Sequence, residues 1–417
     1  MREEDERGVP DEQEPDLPEA RPLKTGKPAG HELNIPWVRL RSAASGHQLY
    51  KRMLGEVDAR ARPGDVVAVY DRSDAPYGVA LYNPRSLIAL RLLARGVGDF
   101  DVDKFLAERV AQAVEFRRVT LGLDETTDAY RLVHDNGDGL PGLVVDRLNN
   151  FVVLEFYSLG MFKLADRLEK AFQRHFPHAK FVRRASPHTQ TMEGFVVDPR
   201  GAGGGGRVKE NGVAFQVEPT SGFKTGFFCD QRDNRLALTR FTKGKKVLDV
   251  CSYTGGFGLY AQKLGGAEET TCVELDPDAH ALIKKNANVN QVRIDAVNAD
   301  AFPYLRQAHA NGRRYGVVVL DPYKLIASRD GYKLGRQKYL DLNRLGASLV
   351  EPGGVLVTCS CSGMLTWDEF QQFVRTACGS AGRRASIFRK SGAGADHPFA
   401  ADHPEGEYLK VLWCRIL

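Results

Sequence analysis

The chain has 417 residues, 42 % hydrophobic and 27 % charged, the balance of an ordinary globular protein of two or three domains. Its net charge is +5, but residues 1–30 hold nine acids and five bases, leaving +9 on the remainder, a surplus that admits an acidic partner such as RNA. No run of about 18 uncharged apolar residues exists, which excludes a membrane-spanning helix. The acidic start is no secretory signal, and seven cysteines at low density fit a reducing, cytoplasmic compartment rather than a disulfide scaffold.

Residues 1–30, with five prolines and little aliphatic periodicity, read as a disordered acidic tail. Residues 31–98 read as a small β-barrel, with strands at Val66 to Tyr70, Gly78 to Tyr82 and Leu87 to Leu93 between Gly and Pro turns. Residues 99–198 form a second, α+β unit. Its helix carries Phe105, Val110, Ala113, Val114 and Phe116, and its strands are Arg131–His134, Leu143–Asp146 and Phe151–Phe156. A helix from Met161 to Phe176 follows. The run Gly201 to Gly206 marks a flexible linker. From there β and α patterns alternate: strands at 246–250, 270–274, 317–320 and 355–359, helices at 256–264, 277–289 and 339–350. This predicts a parallel, doubly wound α/β sheet over residues 199–417, closed by an antiparallel strand at 408–417.

The chemistry-bearing residues lie at the ends of these strands. Val247 to Gly258 reads as a buried strand, a glycine-rich turn (Ser252, Tyr253, Thr254, Gly255) and a helix start, and lacks the Gly-Lys-Ser/Thr of a phosphate-binding loop. Asp249, Glu274 and Asp300 fall at three successive strand ends, where such sheets bind ligands. Glu274 is placed for ribose hydroxyls and Asp300 for an adenine. Ordinary helix-capping acids are the bland alternative. Asp321-Pro322-Tyr323-Lys324 ends an apolar strand with a carboxylate for an exocyclic amine and a ring for stacking; a packed tyrosine is equally compatible. Thr358-Cys359-Ser360-Cys361 ends the next strand on thiols. One can serve as a nucleophile, Cys359 is equally a small buried hydrophobe, and no second Cys or His pair supports zinc. Residues 311–340 carry seven bases against two acids, with Tyr315, Tyr323, Tyr332 and Tyr339 interleaved, a pattern that suits single-stranded RNA.

Over residues 35–417 the chain resembles the bacterial ribosomal-RNA large-subunit methyltransferases that carry an N-terminal PUA domain and methylate cytosine C5. The resemblance rests on Asn83-Pro84-Arg85, Asp138-Gly139-Leu140-Pro141-Gly142, Ser252-Tyr253-Thr254-Gly255-Gly256, Ser360-Cys361-Ser362, Ala395-Asp396-His397-Pro398 and Glu407-Tyr408-Leu409-Lys410. Its most specific element is the run from Lys224-Thr225-Gly226-Phe227-Phe228 to Arg235. The resemblance implies a PUA barrel, a central α+β domain and a Rossmann-like class I methyltransferase domain binding S-adenosylmethionine. It places Phe228, Asp230, Arg232, Asp249, Ser252, Tyr253, Thr254, Gly255, Glu274, Asp300 and Asp321 at the cofactor. It further implies that Cys361 attacks cytosine C6 while Asp321 and Lys324 orient the base, with RNA as partner and no metal. The chain departs from the family in Tyr323, where a second proline is usual, and at Ile35-Pro36-Trp37, where the family opens His-Pro-Trp. A guanine N7 or N2 methyltransferase of the same fold and a non-catalytic RNA-binding assembly factor are the competing readings. The sequence leaves oligomeric state open, a homodimer included.

Overall fold

The computed structural model describes residues 25–42, 46–198, 204–220 and 226–417. Most of the predicted acidic tail, residues 201–203 of the glycine run, and Lys224 and Thr225 lie outside the described residues.

Six strands come first: β1 (Trp37–Leu40), β2 (Gln48–Tyr50), β3 (Leu54–Val57), β4 (Val66–Tyr70), β5 (Pro76–Tyr82) and β6 (Ile88–Arg95). Their order is β2-β6-β5-β4-β1-β3, with only β1 and β4 parallel. The three predicted strands are β4, β5 and β6. The other three run for only three or four residues, too few for an alternation to be legible. Val38, Leu40, Val67, Val69, Ala80, Leu90 and Leu92 share one core.

Next, α1 (Val102–Glu115) starts where the Asp101 carboxylate accepts the N–H groups of Asp103 and Lys104, and it buries Leu106, Val110, Ala113 and Val114. A second sheet contains β7 (Ala129–His134), β8 (Leu143–Leu148), β9 (Phe151–Phe156) and β10 (Lys180–Arg184), ordered β10-β9-β8-β7. The expected single helix from Met161 to Phe176 is instead α2 (Leu159–Lys163) and α3 (Ala165–Gln173), broken at Leu164. Met161 belongs to one helix and Leu168 and Phe172 to the other, and the break lets all three enter the same core. A short helix, α4 (Pro187–Glu193), ends this unit. Successive side chains on a strand face opposite ways. Val152, Leu154 and Phe156 therefore pack with α1 and α3, while Phe151 and Val153 pack against the C-terminal part of the chain.

The linker reading of the glycine run stops short of Gly206, which opens a hairpin of β11 (Gly206–Glu210) and β12 (Val213–Val217). The remaining elements are α5 (Arg232–Leu238), β13 (Lys246–Val250), α6 (Gly256–Lys263), β14 (Glu269–Glu274), α7 (Pro277–Asn290), β15 (Asp295–Asn298), α8 (Ala301–Ala310), β16 (Tyr315–Leu320), α9 (Tyr332–Leu349), β17 (Val350–Ser360), α10 (Trp367–Ser380), β18 (Ala385–Ser391) and β19 (Lys410–Ile416). The seven strands run β15-β14-β13-β16-β17-β19-β18, with β19 antiparallel to both neighbours. The strand order reverses between β13 and β16, which opens a crevice at their carboxyl ends. Two boundaries differ from expectation. Helix α9 begins at Tyr332, seven residues early. Strand β17 continues back through Gly353, whose φ of +80° lets it bulge between the pairs Tyr315–Val350 and Val317–Val355.

Candidate active site at the strand carboxyl ends

Beyond β13 the backbone turns through three left-handed residues in five: Cys251 (φ 59°), Tyr253 (φ 51°) and Gly255 (φ 82°). Two of them carry side chains, at a cost of about 1–3 kcal/mol each, and such strain gathers at ligand-binding turns. Neighbours hold the turn in place. Tyr253 N donates to Glu274 Oε2 at 2.7 Å, Ser252 Oγ donates to Val273 O at 3.3 Å, and Asn286 Nδ2 donates to Thr254 O at 3.0 Å. Asp249 lies beneath the turn. It is fully buried, and Oδ2 accepts Gly258 N–H at 2.9 Å, which fixes the start of α6. Burial, with Asp321 and Glu274 nearby, pushes its pKa up to about 7. Its Oδ1 has no hydrogen-bond partner among the described residues.

Glu274 ends β14 and also accepts Asp276 N–H at 2.9 Å. Asp300, exposed just past β15, caps α8 by accepting Phe302 N–H at 2.8 Å. The three predicted acids thus stand at adjacent strand ends, and each already accepts a backbone N–H. The Phe228 ring meets Tyr253 edge to face at 4.9 Å. Asp230 Oδ2 accepts the Tyr408 hydroxyl at 2.6 Å. Arg232 points elsewhere: its guanidinium is buried and donates to both oxygens of Asp396, at 2.8 and 3.0 Å.

On the other side of the crevice, Asp321 follows β16 and accepts Gln231 Nε2 at 3.0 Å. Burial, with Asp230 close by, pushes its pKa up to about 7. Tyr323 is 70 % exposed, and Lys324 is exposed beside it. Two of the other three tyrosines of the basic stretch do not face solvent as a stacking surface would. Tyr315 and Tyr339 are core residues, and the Tyr332 hydroxyl donates to Glu369 at 2.6 Å. Cys359 is sealed in β17, its thiol held well above the ordinary range by burial and by Asp321. Cys361, one residue beyond β17, is only partly buried. Ser360 and Ser362 flank it and bond Tyr339 Oη at 2.8 and 3.1 Å. Ile326 N donates to Ser362 Oγ at 3.2 Å, so the Asp321 and Cys361 loops are joined.

Sequence reasoning missed Gln231, Tyr408 and Lys410 as site residues. All three fall in runs that carry the resemblance, but only the folded chain shows what they touch. Lys410 pairs with Ser360 across β17 and β19 and is buried. Burial lowers its pKa, while Glu407 and Cys361 act to raise it, which places its ammonium within electrostatic reach of the Cys361 thiol. A separate groove of about 660 Å³ between α8, α9 and α10 borders none of these residues.

Residues 40–95 match a PUA-like domain, and residues 204–378 match an S-adenosylmethionine-dependent methyltransferase. Ribosomal RNA large subunit methyltransferase I of Cronobacter sakazakii is 31 % identical over 390 residues, covering 92 % of this chain and 95 % of that protein. Its namesake in Photobacterium profundum is 34 % identical over 362 residues, covering 85 % and 90 %. The chain belongs to the ribosomal RNA large subunit methyltransferase I family. A crystal structure of the methyltransferase SMU.776 complexed with SAH shares the fold, with a TM-score of 0.74 at 22 % identity over 89 % of this chain and 95 % of that one. As a member of this family the protein is an S-adenosylmethionine-dependent methyltransferase. The strained turn, with an acid at the next strand end, fits that cofactor.

Proposed function

We propose that this enzyme methylates C5 of a cytosine in large-subunit ribosomal RNA through a covalent bond between Cys361 and C6. The observation that carries this reading is the contrast between two neighbouring thiols. Cys359 is sealed, whereas Cys361 stands partly open at the strand end next to Asp321. The relatives' name supplies the substrate class.

In this reading residues 252–255, with Phe228 and Asp230, surround the methionine end of the cofactor. Glu274 takes the ribose, Asp300 the adenine, and Asp249 braces the turn from below. Bound S-adenosylmethionine supplies the methyl group. The target nucleotide is unstacked into the crevice. Asp321 accepts from the exocyclic amine of cytosine, and Lys324 lies at the mouth. The Cys361 thiolate adds to C6, which makes C5 nucleophilic. Loss of the C5 proton to a base after transfer expels the thiolate. An ordinary thiol of pKa about 8.5 is only a few per cent ionised at neutral pH. The Lys410 ammonium favours the thiolate. The test is transfer of a tritiated methyl group to unmodified ribosomal RNA, followed by nucleoside digestion. Label in 5-methylcytidine is the expected result. Label in a guanosine derivative would overturn the proposal and remove any need for Cys361.

A further inference from the structure

The loop that leaves β16 is pinned at both ends. Asp321 N donates to Val250 O at 3.2 Å, and Ile326 N donates to Ser362 Oγ at 3.2 Å. Ile326 and Pro322 are buried, and Leu325 O lies so close to α9 that a Cβ on Gly335 would stand 2.4 Å from it. Between these anchors Tyr323 and Lys324 are exposed. The Tyr323 ring is 70 % exposed, and among the described residues it meets no other ring, no cation and no hydrogen-bond partner.

A lone exposed aromatic is ordinary on a protein surface, but the place of this one is not. Leu320 pairs with Thr358 across β16 and β17. Tyr323 lies three residues beyond the first and Cys361 three beyond the second, and the bond from Ile326 to Ser362 holds the two loops together. Two residues of extended chain span at most about 7.6 Å, so Tyr323 stands beside Asp321 on the rim of the crevice. A base that reacts has to pass inward, to the partly buried Cys361 and Asp321. A ring lying mostly in solvent is outside that path and suits the neighbouring base.

The surroundings of the ring are positive. Lys324, Arg329 and Lys333 are exposed, Asp330 is the one acid from residue 323 to 333, and none of the three bases forms an ion pair among the described residues. An open ring beside unpaired cations matches a single-stranded polyanion with stackable bases, whereas an apolar partner would bury those charges uncompensated.

We propose that Tyr323 is the platform on which the base next to the target nucleotide stacks, while Lys324, Arg329 and Lys333 hold the adjoining phosphates. The inference goes beyond the cytosine reading: it rests on RNA as the substrate and not on which base is methylated. Unstacking the target into the crevice leaves its neighbour without a partner, and the Tyr323 ring replaces the lost stack. A contact made equally before and during methyl transfer acts on RNA binding and leaves the chemical step alone.

The experiment compares the full-length wild type with Tyr323→Ala and Tyr323→Phe. It measures tritiated methyl transfer over a range of unmodified ribosomal RNA concentrations, RNA affinity by filter binding with S-adenosylhomocysteine present, and S-adenosylmethionine affinity by calorimetry. Tyr323→Ala is expected to raise KM for RNA and weaken filter binding by about 5- to 150-fold, the range of one lost base–aromatic stack. Its kcat and cofactor affinity are expected to stay within about twofold of wild type, as for a contact that does not change during the reaction. Tyr323→Phe keeps the ring and is expected to match wild type within about threefold. Unchanged KM and RNA affinity in Tyr323→Ala would overturn the proposal. An equal loss in Tyr323→Phe would also overturn it, by assigning the effect to the hydroxyl. So would a fall in kcat at constant KM, which assigns the ring to the reacting base, or a loss of cofactor affinity. Label outside 5-methylcytidine in the wild type would sink the cytosine reading alone, because the ratio of RNA affinities still decides whether the ring holds a base.

Discussion

Cys361 and Asp321 differ in what their surroundings do to a proton. Cys361→Ala removes the proposed nucleophile from a partly open position, so methyl transfer is expected to vanish while S-adenosylmethionine binding, measured by calorimetry, stays unchanged. Lys410→Met removes the cation near that thiol, and the rate of Cys361 alkylation by iodoacetamide at pH 7 is expected to fall several-fold. Asp321 carries the opposite cost. A carboxyl whose pKa rises to about 7 on folding destabilises the folded form above that pH, and the penalty disappears below its unfolded value of about 3.9. Water at the crevice screens part of it. Asp321→Asn is therefore expected to gain about 1 kcal/mol in urea unfolding at pH 8, nothing at pH 4, and to lose transfer at both. A stabilised but inactive variant is the usual signature of a residue kept for chemistry.

At the scale of elements, α6 crosses β13 and β14 at close range. A Cβ on Gly258 would lie 2.3 Å from Cys272 Sγ and 3.1 Å from Thr270 Cγ2, so no larger residue fits without moving the helix. Gly258→Ala is expected to lower stability by about 1–3 kcal/mol, the cost of overpacking a filled core, and to weaken cofactor binding through the adjoining turn. Urea unfolding and calorimetry report the two effects separately. Most long elements were legible because their periodicity is strong: β16 is an unbroken apolar run, and α7 begins at Pro277 with Asp276 capping it. The break at Leu164 was not, since Met161, Leu168 and Phe172 keep helical spacing on both sides of it.

Across the whole molecule, one short segment ties the parts together. Asp396, fully buried between β18 and β19, accepts Arg232 and also the Arg131 N–H at 2.9 Å, while its own carbonyl accepts Arg117 Nη2 at 2.7 Å. Six residues on, Asp402 pairs with His47 at 3.1 Å. Burial opposes ionisation of Asp396, yet His397 and Arg232 beside it hold the carboxyl well below the usual range. The stability it contributes is present above the unfolded value near 3.9 and is lost as pH falls through the lower folded value. Asp396→Ala strands Arg232 in the interior and is expected to cost about 3–5 kcal/mol in urea unfolding at pH 7, with the difference from wild type shrinking in strong acid.

The sequence alone determined the order of a β unit, an α+β unit and a doubly wound sheet, and the strand ends where Asp249, Glu274, Asp300, Asp321 and Cys361 stand. Those follow from local periodicity and from turn residues a few positions apart. Only the tertiary structure decided that Cys359 is sealed while Cys361 is partly open, and that Arg232 serves Asp396. Each of these depends on groups brought together from distant parts of the chain, where burial and neighbouring charge set the chemistry and spacing along the sequence carries no trace of them.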